Sequence, residues 1–220
     1  ETGLYPKLED CEAYFEAELP FLLEHYSQDE AEMRKCQKFA HTRACKETDR
    51  ATYQAMEYLR SLGHREILYF GCRNSTTHQL RAEGYLRACR QFGLEPRLHH
   101  SDFARSSIEN GYQMVKELFA KPIDYTAIFA STDSNALGIL KAADELHIRI
   151  PGDLSLIGFD NIPSTALPRI DLTTIEQPKK EMAVQAVDML LDKIEKGTQG
   201  YVHQILMPSL VQRGTCRSLT

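Results

Sequence analysis

Short apolar runs alternate with longer amphipathic stretches along most of this sequence, and that alternation restricts the fold more than any other feature. It is typical of a parallel sheet whose strands are joined by right-handed helical crossovers. The sequence therefore predicts an α/β fold with a parallel, doubly wound sheet. The predicted strands are Glu66–Phe70, Leu94–His100, Ala127–Ala130, Leu154–Ile157 and Val202–Val211. The predicted helices are Asp49–Leu62, His78–Phe92, Ser106–Ala120, Ser134–Leu146 and Lys180–Lys196. The third of them begins with a capping box at Ser106.

The stretch from Ile150 to Pro178 combines a buried strand with a polar loop. Pro151-Gly152-Asp153 has turn chemistry, and the apolar run Leu154–Ile157 that follows ends in a glycine. The loop Phe159-Asp160-Asn161 comes directly after it, and Leu172–Gln177 is predicted to be extended. A buried strand that ends in a polar loop with an aromatic residue is a common way to form a binding site. The last predicted strand contains a proline, which favours a place at the sheet edge.

Length, charge and cysteine content restrict the class of protein. The 220 residues are 42% hydrophobic, enough for one large domain or two small subdomains, and the formal net charge is −5. An acidic balance argues against direct binding to nucleic-acid phosphates. No apolar run is long enough to span a membrane and no export signal is visible, so we expect a cytoplasmic protein without membrane contact. Six scattered cysteines without a C-x-x-C pair predict free, mostly buried thiols.

Residues 1–46 do not continue the alternation. They are rich in Glu, Ala, Leu and Lys, and their apolar residues recur at helical spacing with an interruption at Pro20. We predict two or three short helices and no strand here, and the residue pattern leaves their role open.

Three loops are predicted to meet at one edge of the sheet. Ligands of open parallel sheets bind outside the carboxyl ends of the strands, a rule that selects Gly71–Ser75, Ser131–Asp133 and Phe159–Asn161. Asn74 and Ser131 are candidate ligand-binding residues within them. Carboxylates accept hydrogen bonds from neighbouring hydroxyls, and an aromatic face covers C–H patches. This chemistry suits a polyhydroxylated molecule such as a sugar or a nucleoside.

Both aspartates of these loops have a structural interpretation as well. Asp133 could cap the helix Ser134–Leu146, contact a ligand, or do both. Asp160 could form an Asx turn that only shapes its own loop, or it could bind the ligand. The residue pattern does not decide between these interpretations.

Other chemistries lack their sequence anchors. The chain contains no phosphate-binding glycine motif and no nucleophile elbow, so we expect neither an enzyme nor a bound cofactor. His99 and His100 with Asp102 form a poor metal site, because adjacent residues of a strand point to opposite faces. His64 follows the predicted helix C-terminus, where a histidine more often has a structural than a catalytic role.

Several motifs occur together, in the order and at the spacing of one known family. They are YLRSLGHREILYFG, LRAEGYLRA, AIFASTDSNALGIL, DLSLIGFDN and LTTIEQP, followed by the helix EMAVQAVDMLLDKIEKG. Over Glu47–Arg213 the chain resembles the effector-binding domain of LacI/GalR-family transcription regulators. The resemblance implies a type I periplasmic-binding-protein-like fold, with an incomplete N-terminal subdomain that helices replace. It assigns residues 65–175 to the C-terminal subdomain, and helices 49–62 and 180–196 to the N-terminal one.

The resemblance also implies roles for individual residues. It places the family's ligand-binding arginine, in the R-x-x-G pattern, at Arg81, and the aspartate after the third strand at Asp133. The aromatic residue and the aspartate of the GFD motif are Phe159 and Asp160, and a residue that helps to close the cleft is Gln177. Thr132 stands where the family often has asparagine, which leaves the identity of the ligand open.

These observations lead to a hypothesis about function and one main alternative. The chain is expected to sense a sugar-like effector, to act as a homodimer, and to control operator DNA through a headpiece absent from the sequence. The alternative is a periplasmic-type sugar-binding protein without a DNA role. A further alternative is an interaction protein with a degraded cleft, because half of the usual clamshell is not recognisable. The apolar face of the helix Lys180–Lys196 could serve either the core or a dimer interface.

Overall fold

The computed structural model describes residues 50–72, 76–101, 107–196 and 206–219. The predictions for residues 1–46, Asn74 and 202–205 lie outside these ranges. The elements are a helix at 50–61 (α1), β1 (Ile67–Cys72), α2 (Thr76–Phe92), β2 (Arg97–Ser101), α3 (Ile108–Phe119), β3 (Ala127–Ala130), α4 (Asp133–Glu145), β4 (Ser155–Phe159), a 3₁₀ helix (Pro163–Ala166), β5 (Thr173–Glu176), α5 (Lys179–Lys196) and β6 (Ser209–Val211).

The described strands form one six-stranded sheet in the order β2-β1-β3-β4-β5-β6. Neighbours among β1 to β5 are parallel, and β6 pairs antiparallel with β5. The predicted α/β class and parallel sheet are therefore confirmed. The last strand does lie at an edge, but it begins at Ser209, directly after Pro208, because proline has no N–H to donate to a strand ladder.

Helices cover both faces of the sheet. Side chains of β1 alternate between two cores: Tyr69 packs in one cluster and Phe70 in the other. The first cluster includes residues of α1 and α2, and the second includes residues of α3 and α4. The predicted double winding is confirmed by this arrangement. Adjacent histidines of β2 follow the same rule, since His99 stacks on Phe70 and His100 lies against Tyr69.

The helix α1 packs on this sheet, while the division into subdomains that the resemblance implies stays a prediction. Its residues Met56 and Leu59 are fully buried in the same cluster as Tyr69 and Phe129 of the central strands. Gly63, at φ 90°, ends the helix as predicted.

His64, the residue after that glycine, is fully buried and hydrogen-bonded at both ring nitrogens. Nδ1 lies 2.8 Å from Thr126 Oγ1, and Nε2 lies 3.1 Å from the Arg217 carbonyl. Burial lowers the pKa of this imidazole. These contacts tie the end of α1 to the C-terminal segment.

Several element boundaries differ from the predictions, each for a local reason. The strand β4 continues through Gly158 to Phe159, because Phe159 still pairs with Ile175 of β5. The predicted strand from Leu94 begins only at Arg97, since the Leu94 amide is still bonded to the Cys89 carbonyl of α2. The cap of α3 is Ser107, whose side chain accepts from the Asn110 amide, and not Ser106.

The apolar face of α5 is predicted to serve either the core or a dimer interface, and part of it is exposed in the structure. Val184 and Val187 are 51% and 55% exposed, and Ala183 and Ala186 are exposed too. These four residues are thus not buried against the described residues of this chain, and the side chains of residues 190–196 lie outside the description. Among the helices that the structure describes, none combines the length and apolarity needed to cross a membrane.

Tyr85 provides a test of how this core is held together. Its buried hydroxyl donates to the Ile67 carbonyl and accepts from the Arg97 amide, both at 2.8 Å, and so links α2 to β1 and β2. Tyr85→Phe should lower the free energy of unfolding by about 2 kcal/mol, because it leaves a buried N–H unsatisfied. The measurement is urea denaturation followed by circular dichroism.

Tyr125→Phe is the matched control. The Tyr125 hydroxyl is buried and has no hydrogen-bond partner among the described residues, so its removal should leave stability unchanged or raise it. Equal losses in the two variants would contradict the role given to the Tyr85 hydroxyl.

Candidate functional site

The carboxyl ends of the parallel strands place the candidate residues at one edge of the sheet. Ser131 follows β3, Asp160 follows β4, and Arg81 lies near the start of α2, the helix that comes after β1. The structure brings the side chains of Arg81 and Asp160 together with the Ser131 carbonyl, the Phe159 ring and Gln177. Asp133 lies beneath them.

Arg81 is the centre of this group and is only 4% exposed. One guanidinium nitrogen donates to the Ser131 carbonyl, and the other lies 3.3 Å from the carboxylate of Asp160. The guanidinium carbon lies 3.7 Å from the centroid of the Phe159 ring, a cation–π contact. Nε is buried and has no hydrogen-bond partner among the described residues. A buried arginine therefore keeps one donor unused and a second in a long ion pair.

Asp160 binds side chains from other elements and does not form an Asx turn. The amide that such a turn would use, that of Ile162, donates to Asp133 instead. The Asp160 carboxylate accepts from Gln177 Nε2 at 2.7 Å as well as from Arg81. Lys179 donates to the backbone carbonyl of Asp160, whose φ of 114° is unusual for a residue with a side chain.

Phe159 belongs to the strand and not to the loop. It is 2% exposed and lies in the cluster beneath α1 and α2. The ring face that was expected to cover a sugar is covered by the Arg81 guanidinium in this conformation.

Asp133 is fully buried and does not cap α4. Thr132 caps the helix by accepting from the Asn135 amide. The Asp133 carboxylate accepts from Thr174 Oγ1 at 2.6 Å and from the Ile162 amide at 2.9 Å. Burial raises the pKa of Asp133 to about 6, although both hydrogen bonds favour the charged form. The capping interpretation of Asp133 is therefore wrong, while its contact with a ligand stays a prediction.

Ser131 belongs to a buried polar cluster that sequence reasoning missed. Its hydroxyl lies 2.5 Å from His78 Nδ1 and 3.4 Å from Asn135 Nδ2, and the Tyr69 hydroxyl donates to the His78 carbonyl. The spacing of His78 and Arg81 on α2, three residues apart, is the signal that could have placed both on one helix face.

The loop after β4 has two more anchors that the sequence did not indicate. Asn161, at φ 46°, accepts from Arg213 Nη2 at 2.7 Å. Arg213 also donates to the Leu172 carbonyl at 2.7 Å, so the segment after β6 braces the loop. Lys179 braces it from the first turn of α5. Among the described residues, no group of acidic, histidine and cysteine side chains could hold a metal ion.

Comparison with known proteins gives the family. A model of the periplasmic binding protein-like domain matches residues 56–216. The chain is 34% identical over 165 residues to the HTH-type transcriptional repressor PurR of Edwardsiella ictaluri, and the aligned part covers 73% of this chain and 48% of the repressor. It is 34% identical over 173 residues to the repressor CytR of Escherichia coli, or 77% of this chain and 50% of that protein. The chain thus spans about half the length of these curated relatives.

Solved structures agree with the sequence comparison. A LacI-family transcriptional regulatory protein from Corynebacterium glutamicum superposes with a TM-score of 0.69 at 34% identity, over 77% of this chain and 66% of that one. A LacI-family regulator from Enterococcus faecium with bound ribose gives 0.71 at 29% identity, over 79% and 64%. A dimeric Lac repressor gives 0.71 at 27% identity, over 78% and 62%. The chain belongs to the periplasmic-binding-protein-like domain family, and within it to the effector-binding domains of LacI/GalR-type transcription regulators.

Proposed function

We propose that the edge formed by Arg81, Asp160 and Gln177 binds a small polyhydroxylated effector, sugar-like in its chemistry. The observation that carries the proposal is the buried Arg81 guanidinium, which keeps an unused donor and pairs only loosely with the nearby carboxylate. Vicinal hydroxyls can accept from the guanidinium and donate to the carboxylate, and so replace this ion pair with shorter hydrogen bonds. Ribose bound to the relative from Enterococcus faecium supports the same ligand class.

Effector binding would act through the segment that follows β5. Gln177, between β5 and α5, binds the Asp160 carboxylate, and Lys179, the first residue of α5, binds the Asp160 carbonyl. A ligand that competes for the Asp160 carboxylate changes its contact with Gln177 and biases the position of α5, which begins two residues later. A two-state change of this kind couples two sites only if the ligand binds one state more tightly.

The rest of the proposal follows the curated relatives. The full-length protein is proposed to be a cytoplasmic homodimeric repressor without catalytic activity, whose operator contact lies in a separate headpiece. Both first relatives carry HTH-type repressor names, and a related Lac repressor structure is a dimer bound to operator. These names favour a regulator over a free-standing periplasmic sugar-binding protein.

A thermal-shift screen against sugars, sugar phosphates and purine nucleosides tests the ligand proposal. A true effector should raise the melting temperature of the parent with increasing concentration, because it binds only the folded state. Arg81→Met and Asp160→Asn should lose about 100-fold in affinity, since each removes a charged partner of the hydroxyls. Asp153→Asn is the matched control, because this exposed aspartate pairs with Arg149 in the turn before β4. A ligand that stabilises all four proteins equally would place the site elsewhere.

A further inference from the structure

The buried Asp133 carboxylate joins three elements beneath the ligand edge. It belongs to the first turn of α4, accepts from Thr174 of β5, and accepts from the Ile162 amide in the loop after β4. The residue is 0% exposed. A ligand in the crevice cannot reach this carboxylate while both hydrogen bonds are in place.

Gly158 shows that the surrounding chain is shaped around this carboxylate. A Cβ atom at this position of β4 would lie 2.2 Å from Asp133 Oδ1 and 2.9 Å from Leu172 Cδ2. No side chain larger than hydrogen fits at such distances. The strand therefore approaches Asp133 as closely as backbone can, and it does so one residue before Phe159.

Two hydrogen-bonded routes lead from Asp133 to the backbone that follows Asp160. The direct route is the bond from the Ile162 amide. The indirect route runs through Thr174, whose hydroxyl donates to Asp133 and accepts from the Asn161 amide at 3.4 Å. Both amides follow directly after Asp160, the residue held at φ 114°. Left-handed backbone at two successive residues with side chains needs such support from its surroundings.

We propose that Asp133 is a positioning residue, which fixes the loop after β4 and thereby aims the Asp160 carboxylate at the effector without touching it. This inference rests on the proposed function, because it assigns to Asp160 the contact with the ligand. It replaces direct ligand contact by Asp133, which the family resemblance implies. The charged groups that face Asp133 are Asp160 and Lys179, and both belong to the site that it supports.

The test uses Asp133→Asn in the full chain. An amide has one acceptor oxygen where the carboxylate has two, so at most one of the two hydrogen bonds keeps its direction, and that bond is weaker because it loses its charge. We expect the amide hydrogens of Asn161 and Ile162 to exchange about tenfold faster, and effector affinity to fall about tenfold. The melting temperature should stay close to that of the parent, since the variant also removes a buried charge. Asp153→Asn should change neither the exchange of these two amides nor the affinity for the effector.

A pair of variants at Thr174 keeps the inference testable if Asp133→Asn does not fold. Thr174→Val removes the hydroxyl between Asp133 and Asn161 at nearly constant volume, and Thr174→Ser retains it. We expect Thr174→Val to lose affinity for the effector and to exchange the Asn161 amide hydrogen faster. Thr174→Ser should restore both to the parent values. Unchanged exchange at both loop amides in Asp133→Asn would overturn the positioning role.

The two proposals fail in different ways. Amide exchange is measured without ligand, so it reports on Asp133 even if no compound of the screen binds. If exchange accelerates and no compound binds the parent, the loop is positioned as inferred and the effector proposal is what fails. If a compound binds Asp133→Asn as tightly as the parent, the positioning inference is wrong and the effector proposal stands.

Discussion

Gly158→Ala is expected to lower the free energy of unfolding by about 3 kcal/mol and to abolish effector binding. The added methyl group would lie 2.2 Å from Asp133 Oδ1, far inside van der Waals contact. The carboxylate cannot move away without breaking its bonds to Thr174 and Ile162, which would leave a buried charge without partners. Overpacking and lost hydrogen bonds therefore act together. Urea denaturation and the thermal-shift assay measure the two losses.

Gly152→Ala is the control for this substitution. Gly152 lies exposed in the turn before β4, and the atom nearest to its Cβ would be Arg149 Cβ, at 3.0 Å. An exposed turn can give by the few tenths of an ångström that this contact needs, so stability and binding should stay near the parent values. Equal behaviour of the two alanine variants would contradict the close approach of β4 to Asp133.

Gly138→Ala should be comparably damaging, for a reason that lies entirely in the backbone. A Cβ atom at this position of α4 would lie 2.3 Å from the Ile108 carbonyl oxygen and 2.5 Å from the Tyr112 nitrogen, both in α3. The reciprocal contact involves Gly111, whose Cβ would lie 2.6 Å from the Asn135 carbonyl oxygen. The helices would have to separate along a crossing that also packs Val115 and Ile139. A loss of about 3 kcal/mol is expected, even after the better helix propensity of alanine.

Gly93→Ala provides a comparison in which only conformation changes. Gly93 has φ 64° and open space around its Cβ position, so alanine there should cost about 1 kcal/mol through backbone strain. Chemical denaturation of both variants separates the two effects. Stability of Gly138→Ala at or above the Gly93→Ala value would contradict the close helix crossing.

Local patterns were enough to predict the sheet. The apolar runs Ala127–Ala130 and Leu154–Ile157 are buried on both faces, and a strand in that position has a continuous apolar sequence. The helices between them show a separate periodicity. Because parallel strands end at one edge, the same patterns also predict that Ser131 and Asp160 lie close together.

Contacts between distant residues are what the sequence could not supply. Thr174, Lys179 and Arg213 hold the loop after β4, yet nothing in their local sequence distinguishes them from ordinary strand, helix or loop residues. Capping was misjudged for a related reason, since Thr132 and Asp133 are both good caps and only the burial of Asp133 decides between them. The position of α1 on the sheet likewise depends on tertiary packing.

The most direct test of effector binding at this edge is an NMR titration that follows the side-chain Nε–H of Arg81 and the backbone amides of Asp160 and Asn161. A compound selected by the thermal-shift screen should shift all three signals with one dissociation constant, because the unused donor gains an acceptor and the loop changes partners. Arg81→Met should lose the loop shifts at the same ligand concentration. Shifts confined to α3 and α4, with the Arg81 and Asp160 signals unmoved at saturation, would contradict a binding site at the carboxyl ends of the strands.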